Sequence, residues 1–229
     1  MERYSRRSFL ALGAALVPAV ALATRAEPIG SETPRKKVLL IGDYMKKHYE
    51  DKVREQLKDK AEVISPTENC GNTVDVMRNI EGWVKLYNPD IIHISCGFED
   101  IRTVYYGSYD NIVPLKFYKR NVRNILEGIF MFSEKAVPLW ATMTPINDER
   151  QGEAKAKTKD YSLFNEDVLN YNNAAQRVAK QYKVSVVDLF NTINYSNPDA
   201  YLNETGFLLN TKGADTTAKM IASHIENYL

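Results

Sequence analysis

Lys37-Val38-Leu39-Leu40-Ile41-Gly42-Asp43-Tyr44-Met45-Lys46-Lys47 is the stretch from which the fold of this chain is read. Val38–Ile41 is a continuous aliphatic run bounded by glycine. Such a run marks a central parallel strand covered on both faces. It ends in a Gly-Asp turn that opens an amphipathic segment. In open α/β sheets the chemistry lies beyond the carboxyl ends of the strands. Gly42, Asp43 and Tyr44 fall there.

Working outward, apolar strands alternate with amphipathic helices. Strands are expected at Lys37–Ile41, Ala61–Ser65, Ile91–Ser95, Val137–Met143 and Val184–Leu189. Helices are expected over Lys46–Lys58, Thr73–Tyr87, Leu115–Phe132, Phe164–Tyr182 and Thr211–Leu229, each with apolar residues three and four apart. Residues 102–114 read as a loop rich in Tyr, Gly and Asn. Residues 144–162 read as a long polar loop, and 190–209 as an irregular segment. The alternation implies βαβ crossovers. The expected fold is a three-layer α/β/α sandwich with a five-stranded parallel sheet in the flavodoxin-like order 2-1-3-4-5. Residues 37–229 form this domain and residues 27–36 a polar linker.

Residues 1–26 read as an export signal rather than part of the fold. Ser5-Arg6-Arg7-Ser8-Phe9-Leu10 is a twin-arginine pattern. The Ala/Leu/Val run that follows is short and broken by Pro18, which suits a signal peptide better than a membrane span. An uncleaved anchor is the alternative, and the only membrane association expected. Ala21-Leu22-Ala23 and Thr24-Arg25-Ala26 are both small-residue cleavage sites. Cleavage after Ala26 removes Arg3, Arg6, Arg7, Arg25 and Glu2, taking the net charge from +1 to −2. The expected location is periplasmic or secreted. Near-neutral charge without a basic stripe argues against a nucleic-acid partner. Cys70 and Cys96 are the only cysteines. In an oxidising compartment they can form a disulfide; as small apolar residues they can equally pack as thiols.

Four blocks along residues 37–229 resemble the SGNH/GDSL hydrolase superfamily. Gly42-Asp43-Tyr44 matches the first block, Gly-Asp-Ser, with Tyr44 in place of the nucleophilic serine. Gly71 matches the glycine whose N–H serves the oxyanion hole. Gly97-Phe98-Glu99-Asp100 matches Gly-x-Asn-Asp, with Glu99 in the asparagine place. Thr205-Gly206-Phe207-Leu208 matches Asp-x-x-His, with Thr205 for the aspartate and Leu208 for the histidine. Thr142, Thr144-Pro145 and Asp188-Leu189 are family-like without deciding the chemistry. The resemblance implies an ester hydrolase acting on acylated carbohydrates, with no cofactor.

The residues at those places oppose that activity. Acyl transfer needs a nucleophile, a base in hydrogen-bond reach, a group that orients it, and oxyanion donors. A phenol is bulkier than a serine hydroxyl and its oxygen lies further from the backbone. Leu208 accepts no proton, Thr205 carries no charge, and an ionised Glu99 repels an oxyanion. The three histidines fall elsewhere: His93 within a strand as a core residue, His48 and His224 on exposed helix faces. Glu204 reaches the aspartate place only with a register shift. Asp43, Glu99 and Asp100 can cluster at the strand ends for acid/base work or cation binding, although an Asp43 that caps the next turn is the simpler reading. No metal-ligand spacing or phosphate loop is present. Tyr105, Tyr106 and Tyr109 offer rings suited to carbohydrate faces, or ordinary loop packing. The expected function is a small-molecule or glycan ligand held by Asp43, Tyr44, Gly71, Glu99, Asp100 and Tyr105, without catalysis. A carbohydrate esterase or deacylase with a remodelled site, and a structural or assembly protein, are the alternatives.

Overall fold

The computed structural model describes residues 34–67, 69–105, 109–158 and 161–229. Residues 1–26, expected to be an export signal, and most of the expected linker lie outside them. The sheet strands are β1 (Lys36–Gly42), β2 (Ala61–Ile64), β3 (Ile91–Ser95), β6 (Val137–Ala141) and β7 (Ser185–Val187). They are all parallel, in the order β2-β1-β3-β6-β7. That is the five-stranded parallel sheet expected, with β1 inside it. Helix α1 (Glu50–Leu57) packs with α7 (Thr211–Glu226). Helix α2 (Thr73–Tyr87) packs with α3 (Leu115–Phe132), and α3 with α5 (Asn165–Gln181).

The sequence explains the layers. Every residue of β3 is buried, as its unbroken Ile91-Ile92-His93-Ile94 run requires. Helix α3 buries Tyr118, Val122, Ile125, Leu126 and Ile129, and α7 buries Ala214, Ala218, Ile221, Ala222 and Ile225. Asn72 starts α2: its side chain accepts from the Val74 and Asp75 N–H groups, and Asp75 answers with a bond to the Asn72 N–H. Asn88 ends α2 in the left-handed region, at φ 45°.

Four segments differ from the sequence expectation. The first helix begins as a separate 3-10 turn, Tyr44–His48, because Asp43 caps it and Lys46 is drawn inward to Glu50 at 3.0 Å. Within residues 102–114 lies an antiparallel pair, β4 (Thr103–Tyr105) and β5 (Tyr109–Asn111). Asn111 Nδ2 ties this hairpin to the Ile101 carbonyl at 2.9 Å. The polar stretch 144–162 contains α4 (Asp148–Thr158), started by the Asn147 side chain accepting from Arg150 N–H. Its polar face hides it from any apolar periodicity. Strand β7 stops at Val187 because Asp188 turns into the N-cap of α6 (Leu189–Tyr195), accepting from Asn191 N–H at 3.0 Å.

Candidate functional site

The carboxyl ends of β1 and β3 meet through Asp43. This side chain is buried, and one oxygen accepts from Met45 N–H, capping the 3-10 turn. The other accepts from Gly97 N–H at 3.1 Å and Phe98 N–H at 2.9 Å. Asp43 therefore does more than cap: it ties two strand-end loops together. Burial pushes its carboxyl up to about 7 against the pull of those donors. Gly97, at φ 150°, approaches so closely that a Cβ there would strike the Met143 sulfur.

Tyr44 follows directly. Its ring meets Phe207 edge-on at 6.0 Å between centroids and lies tilted against Phe98 at 6.3 Å. Its hydroxyl is buried without a hydrogen-bond partner. Burial, and then the nearby Asp43 charge, holds the phenol well above its ordinary range. The group is thus a hydrogen-bond donor at neutral pH and no nucleophile.

The other family places are occupied by groups already engaged. Gly71, at φ 72°, gives its N–H to the Asn69 side chain at 3.1 Å, so the expected oxyanion donor is used locally. Glu99 accepts from Arg102 at 2.6 Å and from Asn69 Nδ2 at 3.1 Å. Thr205 hydrogen-bonds Asn203 and caps the Leu208 N–H. Leu208 is half-buried against the core, and Phe207 is the residue of this block that touches Tyr44. Asp100 is buried and accepts from the Thr73 N–H and hydroxyl at the start of α2, behind the site. Burial raises it to about 7 as well. The side chain of Tyr105 and the whole of Tyr106 lie outside the described residues.

Arg102 and Tyr161 belong to this cluster, and the sequence reading missed both. The Arg102 guanidinium sits over the Tyr161 ring at 3.7 Å and its Nε is buried without a partner. The Glu99-x-x-Arg102 spacing was a usable signal for the ion pair. Tyr161 had none, since it arrives by the Thr103–Ser162 bridge from far along the chain. The site is therefore an aromatic cluster in which partly buried Tyr44 and Tyr161 are backed by buried Phe98 and Phe207, beside a neutral Glu99–Arg102 pair, with two orphaned donors.

Of the two readings of Cys70 and Cys96, the packed thiols are the ones found: both are buried and not bridged, and burial raises both above the ordinary thiol range. They serve as small core residues under the site. His224 is not on a solvated face: its Nε2 lies 2.8 Å from Ser185 Oγ and its ring packs on buried His93. Among the described residues, no group of three or more His, Cys, Asp or Glu side chains is placed to hold a metal.

No family model matches the sequence, and no curated protein matches it either. Solved structures do match. The chain is similar to a lipase/acylhydrolase from Enterococcus faecalis, at 16% identity and TM-score 0.68, covering 84% of this chain and 96% of that one. It is similar to a GDSL-like lipase from Bacteroides thetaiotaomicron, at 15% identity and TM-score 0.66, covering 85% and 89%. It is also similar to a family 3 carbohydrate esterase from Clostridium thermocellum, at 16% identity and TM-score 0.61, covering 85% and 91%. These likenesses show the fold: the chain shares the three-layer α/β/α architecture of these structures.

Proposed function

We propose that this is an exported SGNH-type protein that binds an acylated carbohydrate at the Tyr44 site and does not hydrolyse it there. The observation that carries the reading is the Tyr44 hydroxyl: buried, protonated and without a partner at the place of the family nucleophile. A buried donor left unpaired costs about 1–3 kcal/mol, which a ligand oxygen recovers on binding. Arg102 Nε is a second such donor. Glu99 already neutralises Arg102, so an uncharged acceptor such as an ester or amide carbonyl suits the pair better than an anion. The partly buried rings of Tyr44 and Tyr161 suit the C–H face of a sugar. A carbohydrate esterase among the structures of this fold supports the ligand class. The twin-arginine pattern supports export.

The test is a thermal-shift panel of acetylated and de-acetylated xylo-oligosaccharides against the chain and its Arg102→Ala variant. Acetylated ligands should raise the melting temperature of the parent chain only, and should be recovered intact. Equal shifts in the variant, or none with any saccharide, would overturn this reading.

A further inference from the structure

A second constellation lies on the other side of the sheet from α3, away from Tyr44. The register places Leu40, His93, Leu139 and Ser185 in one row across β1, β3, β6 and β7. Paired residues of parallel strands share a face. The α7 residue His224 sits over the end of this row, with Nε2 at 2.8 Å from Ser185 Oγ. A hydroxyl held by an imidazole at this distance is the first requirement of an activated nucleophile. Two hollows lie along β7, one lined by His224 and the other by Ser185. One, of about 500 Å³, is lined by Val186, Val187, Asp188 and the α7 residues Lys219, Ser223 and His224. The other, of about 280 Å³, is lined by Ser185, Val184, Val137 and Tyr228.

Among the described residues, strand β7 is the last in the sheet and pairs only with β6. The Val187 carbonyl points to β6, since it accepts from Thr142 N–H. Alternation along a strand then points the Val186 N–H at the open edge. An N–H from the residue after the nucleophile is a common oxyanion donor. His224 Nδ1 is buried without a partner, so no acid orients the ring. Burial holds this imidazole below its ordinary value, which keeps it unprotonated and able to act as base at neutral pH.

We propose that Ser185 and His224 are a nucleophile–base pair that accepts acyl or phosphonyl groups from small activated esters entering along the open edge of β7. Ser185 Oγ bonds to the carbonyl carbon while its proton passes to His224 Nε2. The ester C–O bond breaks, and the leaving alcoholate takes that proton. Water, deprotonated by the same nitrogen, then frees the acid and restores the serine. Without an orienting acid the pair is slow. Nothing in this step uses Tyr44, so the pair is independent of the ligand site proposed there.

A fluorophosphonate probe tests the pair directly: Ser185 Oγ bonds to phosphorus, fluoride leaves, and His224 takes the proton. Peptide mapping of the labelled protein should place the adduct on Ser185. Ser185→Ala should remove it, and His224→Gln should slow it at least ~100-fold, the usual worth of a general base. Glutamine keeps a hydrogen bond to Ser185 but takes no proton. Ser223→Ala, in the same hollow, should label like the parent. Labelling elsewhere, no labelling, or an unchanged rate in a folded His224→Gln protein would overturn the proposal. If His224→Gln fails to fold, mapping of the parent against Ser185→Ala still decides.

Discussion

The Asp43 carboxylate holds the Gly97 N–H at 3.1 Å, joining the loop after β1 to the loop after β3. The same oxygen holds Phe98 N–H and its twin holds Met45 N–H, so three backbone donors converge on one buried side chain. Asp43→Asn replaces one acceptor oxygen by a donor facing those N–H groups. It should destabilise the protein by about 2–4 kcal/mol, the cost of leaving buried donors unpaired. Chemical denaturation at neutral pH measures this. A loss under ~0.5 kcal/mol would mean that the loops hold together without Asp43.

Tyr44→Phe should have the opposite sign. The hydroxyl it removes is buried and unpaired. Its loss should stabilise the unliganded protein by ~1 kcal/mol, raising the melting temperature by about 3 °C. The same change should weaken saccharide binding. A less stable variant would show that the hydroxyl has a partner in solution.

The sheet was legible because strands such as Val38–Ile41 and Ile91–Ile94 bury every residue and so read as unbroken aliphatic runs. The hairpin β4/β5 and helix α4 were not. Their stability comes from side-chain ties such as Asn111 to Ile101 and Asn147 to Arg150, which leave no apolar period. At the site, local order in the chain located Tyr44, Gly71 and Glu99. It could not say that Asn69 consumes the Gly71 N–H, or that Phe207 rather than Leu208 meets Tyr44. Those outcomes depend on side-chain directions set by tertiary packing. His224 was misplaced for the same reason: its helix face is half-covered by the edge of the sheet.

His93 should govern the acid limit of stability. Burial, and then the nearby His224, lowers it from 6.5 to about 3. A base with a depressed folded value contributes stability above pH 6.5 that is lost as pH falls toward 3. Asp43 and Asp100, raised from 3.8 to about 7, act in the other sense: their contribution is full below pH 3.8 and lost as pH rises through 7. Both carboxyls remain in His93→Gln, so they cancel in the difference between the two proteins. The melting temperature of the parent should fall more steeply than that of His93→Gln between pH 6.5 and 3. Parallel curves would contradict this.

The thiols of Cys70 and Cys96 are buried. A thiol reagent should react with neither at an appreciable rate in the folded protein and with both on denaturation without reductant. No reaction in denaturant would reveal a bridge.

The claim that the Tyr44 site binds without hydrolysing is tested most directly by turnover of p-nitrophenyl acetate in a Ser185→Ala protein, which removes the proposed edge site. With the phenol of Tyr44 held protonated and Leu208 where a histidine base was expected, nucleophilic catalysis there loses several orders of magnitude in rate. The Ser185→Ala protein should hydrolyse the ester no faster than buffer. Turnover above buffer that disappears on adding Tyr44→Phe or Glu99→Gln would contradict the account.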